Sequence, residues 1–500
     1  MNHWIIAPVV LPAVMAPLIV LLMRHDLTLQ RVFSVAATLG LLTISAVLLV
    51  QASSGGPQVY FLGNWPAPFG IVLVLDRLSA MMVALTAVLG IGVLLYVIGS
   101  GWDARGKNFH ALFQFQLMGI CGAFLTGDAF NLFVFFEVLL IASYGLMIHG
   151  GGRDRLRAGV QYIAYNLMGS TLFLFALATI YSVTGTLNMA DLALRVADLP
   201  EGNGALLRVA GVLLLIVFAV KGALVPFQFW LPGTYALAPG PVAALFAVMT
   251  KVGAYAILRF YTLIFGPDME TNGTFYADLL MPAAIVTMIL GMVGVMGAKS
   301  LARMAAFAGI GSMGMLFMAM AAFTPAGISA ALYYLVHSTL AGALLFLIVD
   351  LVQSRRGTTG ITALPPMAQH GLITALFFGA AIAMAGMPPL SGFLGKLLVL
   401  DALRDRADMA LLWSVILVAS LLAIVGLARA GSTVFWKAHA SPGDAAAHES
   451  EPLAFVAVFG LLALIVGQTV LSGPLTAWLD GTAAQVFDSG AYVDAVLGLR

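Results

Sequence analysis

Residues 217–231 read Val217-Phe-Ala-Val-Lys221-Gly-Ala-Leu-Val-Pro226-Phe-Gln-Phe-Trp-Leu231. The run is apolar on every helical face, yet it holds a lysine at its centre and a proline shortly after it. Proline removes a backbone hydrogen bond and opens a helix. Irregular backbone at membrane depth is tolerated only inside protein or beside a water-filled cavity. The stretch therefore predicts a membrane span broken near its middle, with a charge at the break. Gly386-Met-Pro388-Pro389-Leu-Ser-Gly-Phe-Leu-Gly-Lys396 repeats the pattern with a double proline.

The rest of the chain agrees. Of 500 residues, 61% are apolar and 9% charged, whereas a soluble chain is about a quarter charged. Lipid must cover most of such a surface. At about 20 residues per span there is room for roughly 14 helices. Apolar runs between breakers place them at 4–23, 31–51, 78–99, 109–126, 129–149, 158–184, 206–231, 240–265, 277–297, 301–322, 327–352, 372–401, 409–435 and 453–472. The predicted fold is an all-α polytopic membrane protein. Gly309, Gly311 and Gly314 predict irregularity in the tenth run. No soluble catalytic domain fits in the remainder. A net charge of +1 gives no basic patch for nucleic acid. One cysteine, Cys121, excludes an internal disulfide and a cysteine-held cluster; no cofactor and no resident metal are expected. The first run lacks a basic leader and is expected to be a retained span rather than a signal peptide.

Loop charge predicts orientation. Alternate loops from the first hold Arg24, Arg31, Arg105, Lys107, Arg153, Arg155, Arg157, Lys299, Arg303, Arg355, Arg356, Arg429 and Lys437. The other set, with the tail, holds only Arg77, Arg195, Arg208, Arg404, Arg406 and Arg500. The richer set should be cytoplasmic in a cell (inner) membrane protein, with both termini outside. Pro57, Pro66 and Pro68 with Tyr60, Phe61, Trp65 and Phe69 predict an external cap at the interface, where aromatic rings settle. Asn272-Gly-Thr274 matches a glycosylation sequon of little specificity.

Ionisable groups at membrane depth are functional candidates. Five stand out: Glu137 in the fifth run, Lys221 and Lys251 in the seventh and eighth, His337 in the eleventh and Lys396 in the twelfth. Glu137 is a candidate partner for a lysine, and a carboxylate favours the charged form of a lysine that hydrocarbon disfavours. Lys251 has no acid in its own run and suits a neutral proton carrier. His337, beside Ser338 and Thr339, suits a relay. The bland alternatives are packing ion pairs, a carbonyl-bonded lysine, a satisfied core histidine and a snorkelling Lys396. Asp76, Arg259 and Asp350 lie near run ends and are expected to snorkel.

The broken runs are the fourth members of two consecutive five-run sets. Paired broken helices in corresponding places point to inverted-repeat transporters. The predicted organisation is an N-terminal three-helix segment (1–108), a first five-helix repeat (109–265), a second (277–436), and a last span with an external tail (437–500).

Four stretches carry a family likeness: Phe130–Gly150 around Glu137, Val217–Leu231 around Lys221, Ala236–Arg259, and Ala385–Leu398. With Leu75-Asp-Arg-Leu-Ser79 and Thr184-Gly-Thr-Leu187, the chain resembles, over about residues 70–440, the antiporter-type subunits shared by Mrp cation/proton antiporters, respiratory complex I and membrane-bound hydrogenases. Its length, short tails and Val434-Phe-Trp436 are most similar to the D-type subunits of the Mrp branch. The resemblance implies 14 helices and one proton-translocating unit among other membrane subunits of a larger assembly. It implies that Glu137 and Lys221 are a charge pair and that Lys251, His337 and Lys396 are successive relay positions. Two departures stand out. Many relatives have a lysine one turn after the histidine, where this chain has Ala341, and a histidine where it has Tyr235. The middle of the relay then rests on His337 and water.

The expected function is proton translocation coupled to Na+ or K+ exchange. Tyr162, Tyr165, Asn166, Thr250, Tyr255, Ser338 and Thr339 are expected to hold connecting water. The rivals are a redox-driven proton-pump subunit, a transporter acting alone on an organic solute, and a non-conducting scaffold.

Overall fold

The computed structural model describes residues 2–198, 204–266, 274–441 and 448–498; the sequon's Asn272 and Gly273 and the terminal Arg500 lie outside them. Nineteen α-helices follow one another among the described residues. They are α1 Ala7–Leu22, α2 Leu27–Ser54, α3 Arg77–Ser100, α4 Phe109–Leu125, α5 Ala129–Met147, α6 Arg153–Thr184, α7 Met189–Ala197, α8 Gly204–Gly222, α9 Trp230–Leu237 and α10 Gly240–Leu263. Then come α11 Phe275–Gly297, α12 Leu301–Met320, α13 Pro325–Arg356, α14 His370–Ala385, α15 Ser391–Ala402, α16 Met409–Gly431, α17 Pro452–Val470, α18 Ser472–Phe487 and α19 Ser489–Leu497. Eleven are long and apolar enough to cross a membrane, and α1, α4 and α14 are shorter apolar helices. One helix of this set falls in each apolar run read from the sequence. In the seventh run α8 stops at Gly222, ahead of Pro226, and α9 begins only as the run ends, while the twelfth run divides into α14 and α15 at its double proline.

The core lies around α10 and α13, whose most apolar windows are 100% and 94% buried. Outer helices such as α2, α16 and α17 bury only 33% of theirs, leaving wide apolar faces for lipid.

Four features differ from the sequence reading. The tenth run is the unbroken helix α12, and two of its glycines, Gly311 and Gly314, serve close packing instead. A Cβ on Gly311 would strike Met292 of α11, and one on Gly314 would strike the Met288 backbone; small residues let membrane helices approach in this way. The cap after α2 contains a hairpin, β1 Gln58–Phe61 paired antiparallel with β2 Val72–Leu75. Its second strand is wholly buried, because it tucks against Thr126 at the end of α4, while Trp65 and Phe69 stay exposed. The tail after Ser472 is helical, with Leu479, Ala483 and Tyr492 buried. Asp76, Arg259 and Asp350 do not snorkel: all three are buried.

Candidate functional site

The two breaks create the polar groups that the site uses. At the first, Pro226 lacks the N–H that would continue the α8 ladder. The chain turns through Ala223, at φ +53°. The Val220 carbonyl takes the Trp230 indole N–H at 2.9 Å, and the Val225 N–H goes to Thr287 Oγ1 at 2.9 Å. Lys221, in the last turn of α8, is 7% exposed. Its amine donates to Asn166 Oδ1 of α6 at 3.0 Å and stands 5.8 Å from the Phe136 ring centre. A small cavity lies here, lined by Leu139, Tyr162, Asn166, Lys221, Trp230 and Met249, with room for about one water molecule.

Glu137, half-buried on α5, accepts from the Ser170 hydroxyl. Asn166 and Ser170 are one turn apart on α6. The two expected partners, Glu137 and Lys221, therefore do not make a direct ion pair; each is held by a different α6 residue. Glu137 remains within electrostatic reach of Lys221.

Lys251 sits in the middle of α10, 3% exposed, and among the described residues nothing accepts a hydrogen bond from its amine. Two residues on, and so on another face of the helix, Gly253 packs α10 against α8. A Cβ there would lie 2.7 Å from Gly222 N and 3.1 Å from Lys221 Cβ, so a glycine is needed for α10 to pack against α8 at Lys221.

At the second break the lysine itself takes the freed carbonyl. Pro389 cannot bond the Ala385 carbonyl, and the Lys396 amine takes it instead, together with Ser420 Oγ at 2.7 Å. Gly386 turns at φ +68°, and a side chain there would collide with the Lys396 amine. Ser391, first residue of α15, has its hydroxyl 2.8 Å from His337 Nδ1. The Ala383 carbonyl also adjoins the ring. Gly392 keeps this corner open, since a Cβ would strike both Ala383 O and His337 Nε2. His337 lies within electrostatic reach of both Lys251 and Lys396.

The supporting polar residues are mostly engaged elsewhere. Ser338 and Thr339 bond back to Leu335 O, Thr250 to Ala247 O, and Tyr255 to Phe124 O at 2.6 Å. Tyr165 is exposed on the outer face of α6. Tyr162 meets Ser143 at 2.9 Å. Tyr235 donates to Phe246 O at 2.9 Å.

Two buried acids that the sequence reading assigned to the surface fix the frame. Asp350 accepts from Tyr96 and from the Trp102 indole, each at 2.9 Å, and from the Gly240 amide at the start of α10. Asp76 pairs with Arg259, near the other end of α10, at 2.6 Å, and Arg259 lies 5.2 Å from the ring centre of Tyr492 in α19. The signal for Asp350 was present: an acid in an apolar run, with no base one turn away.

These features define a multi-pass membrane protein built on two proline-broken helices, with titratable side chains gathered at the breaks and along the helices between them. The family described as "NADH:quinone oxidoreductase/Mrp antiporter, TM" matches residues 126–423, and the chain belongs to it. It is 38% identical to the D-type subunit of a probable K(+)/H(+) antiporter of Rhizobium meliloti (strain 1021), with 87% of each chain covered. It is 36% identical to the D-type subunit of the Na(+)/H(+) antiporter of Bacillus subtilis (strain 168), over 99% of this chain and 100% of that one. Among solved structures, a chain of the Mrp complex from Dietzia sp. DQ12-45-1b superposes with a TM-score of 0.89 at 27% identity, over 100% of both chains. A chain of an archaeal membrane-bound sulfane sulfur reductase gives 0.89 at 26% identity, over 99% of this chain and 100% of that one.

Proposed function

We propose that the chain is the proton-translocating subunit of a multisubunit antiporter that exchanges Na+ or K+ for protons, with neighbouring membrane subunits completing the machine. The observation that carries this reading is Lys251. It is a buried lysine for which the described residues offer no acceptor, standing between two breaks that each carry a buried lysine. A scaffold has no use for such a group, because burying a lysine without a fixed partner is unfavourable.

In the proposed cycle Asn166 and Ser170 are the switch between Glu137 and Lys221. When Glu137 leaves Ser170 and meets Lys221, the ammonium is held. When it returns, Lys221 releases its proton towards Lys251. His337 accepts at one nitrogen and donates at the other, passing the proton to Lys396, whose contact with Ser420 leads towards α16. One charge crossing the membrane gains about 2.3 kcal/mol per 100 mV, ample to drive cation exchange. Positive loop charge supports cytoplasmic placement of the Arg153–Arg157 side, with both termini outside. The helix order supports two five-helix repeats.

The redox-driven alternative rests on the equal superposition with the sulfur reductase chain. The sequence relatives at 36–38% identity, both from antiporters, favour the cation exchanger. The test is co-expression of the tagged chain with its neighbours in antiporter-deficient cells, followed by cation-driven proton movement in everted vesicles. Lys221→Ala and Glu137→Gln should abolish exchange while the complex still assembles. Full exchange in either variant refutes the relay. Recovery of iron–sulfur or flavin partners with the chain refutes the antiporter assignment.

A further inference from the structure

A groove of about 690 Å³ opens on the apolar outer surface between α2, α3, α13, α17 and α18. Leu49, Leu85, Val88, Leu340 and Leu464 are among the residues lining it. Its few polar groups, Ser53, Gln468 and Trp478, come from the end of α2, the end of α17 and α18, so they gather at one end.

Gln468 is 6% exposed. Its Nε2 donates to Tyr333 O at 3.0 Å, and Tyr333 donates back to Gln468 O at 3.2 Å. That reciprocal pairing fixes which way the amide points, and it leaves Oε1 buried without a partner. Buried acceptors are nearly always satisfied, so this oxygen points to a missing donor. Arg77 adjoins the same end. Its guanidinium lies 5.3 Å from the Trp478 ring centre and donates to Ser53 O at 3.3 Å, while Trp478 donates to Ser53 Oγ at 2.8 Å. Among the described residues no carboxylate pairs with Arg77.

An apolar trough with a tryptophan, an uncompensated arginine and an unpaired acceptor at its mouth has the chemistry of a phospholipid seat. We propose that the groove holds one acyl chain of a phospholipid whose headgroup is anionic and bears a hydroxyl. The phosphate lies on Arg77, where charge assistance makes the contact strong, and a headgroup hydroxyl donates to Gln468 Oε1. Val336 and Leu340 line the groove and flank His337 in α13, so the seated chain packs against the helix carrying the histidine. The binding itself does not depend on the proposed transport function.

The test uses the assembled complex in phosphatidylcholine vesicles. These contain either phosphatidylglycerol or phosphatidylcholine brominated high on the acyl chains. The readout is the tryptophan emission lost in Trp478→Phe. Brominated phosphatidylglycerol should quench that component at about one-tenth of the mole fraction that brominated phosphatidylcholine needs. Arg77→Gln and Gln468→Leu should each bring the two curves together. Equal quenching of the unmodified protein by both lipids means ordinary boundary lipid. Quenching by neither means that a partner subunit fills the groove. Each of these results overturns the proposal.

Discussion

Replacing Gly253 by alanine should disable exchange without dismantling the protein. The added methyl would stand 2.7 Å from Gly222 N, 2.8 Å from Phe218 O and 3.1 Å from Lys221 Cβ. The first two are backbone atoms, which cannot swing aside as a side-chain tip can. Favourable contacts to carbon lie at about 3.5–4.0 Å, so the end of α8 must recede by roughly 1 Å. Overpacking of this size costs about 1–3 kcal/mol, which a bundle of this extent absorbs. Function is less forgiving, because a 1 Å displacement of reacting groups costs on the order of 100-fold in rate. Cation-driven proton movement in everted vesicles should therefore fall about 10- to 100-fold, with assembly unchanged on a native gel. The control is Gly342→Ala in α13, where the new methyl meets only Ala247 Cβ at 3.9 Å, and near-normal exchange is expected. Full exchange in Gly253→Ala would show that the Lys221–Lys251 spacing does not govern transfer. An equal loss in Gly342→Ala would reduce the effect to general intolerance of substitution.

Arg259→Met leaves the buried Asp76 without its cation and should destabilise the chain by about 3–5 kcal/mol, with Asp76→Asn in the same background recovering part of the loss; heat-induced aggregation of the detergent-purified chain reports it, and strictly additive single and double variants would contradict a coupled pair. Asp350→Leu strands the Tyr96, Trp102 and Gly240 donors at about 1–3 kcal/mol each, so the same assay should show a drop exceeding that of a lipid-facing Leu421→Ala. Asp103, in the loop before α4, is pushed up by burial, but hydrogen bonds from His110 and Arg31 prevail and hold its carboxyl below the usual range. A depressed folded value means that its stabilisation is complete above the ordinary aspartate value of about 4 and is lost as pH falls through the folded value. The stability gap between the parent chain and Asp103→Asn in the same aggregation assay should stay constant from neutral pH down to that point and close below it; a gap unchanged through strong acid would contradict the assignment.

The helices are legible in the sequence because each long apolar run has only one way to satisfy its backbone in lipid, and the breaks are legible because proline cannot hide. Neighbourhood is not. Asp76 and Arg259 look like span-end charges that reach for water, and only the packing of α3 against α10 reveals that they reach for each other. Asn166 stands out as a polar lining residue, yet nothing in its spacing from Lys221 announces a hydrogen bond between α6 and α8. Ser170 gives no signal at all, because a serine on a mostly lipid-facing helix carries no pattern until Glu137 is placed beside it. The short helices α7, α18 and α19 escape for another reason. α7 is amphipathic but only nine residues long, α18 and α19 show weak periodicity, and their stability comes from docking, as Tyr492 shows against Arg259. The hairpin strand Val72–Leu75 is too short and too uniformly apolar to distinguish from the start of the next span.

The two buried acids together make a statement about motion. Asp350 grips the first residue of α10 and Asp76 grips Arg259 close to its last, while the helix between them has no face outside the protein. Such a helix is an axle, anchored in bearings at either end. Lys251 rides on it and has no freedom to shuttle by travelling with its backbone. Any stroke in the proposed cycle must then come from side chains swinging on this shaft, or from the half-helices α8 and α15, whose own ladders are cut at the prolines.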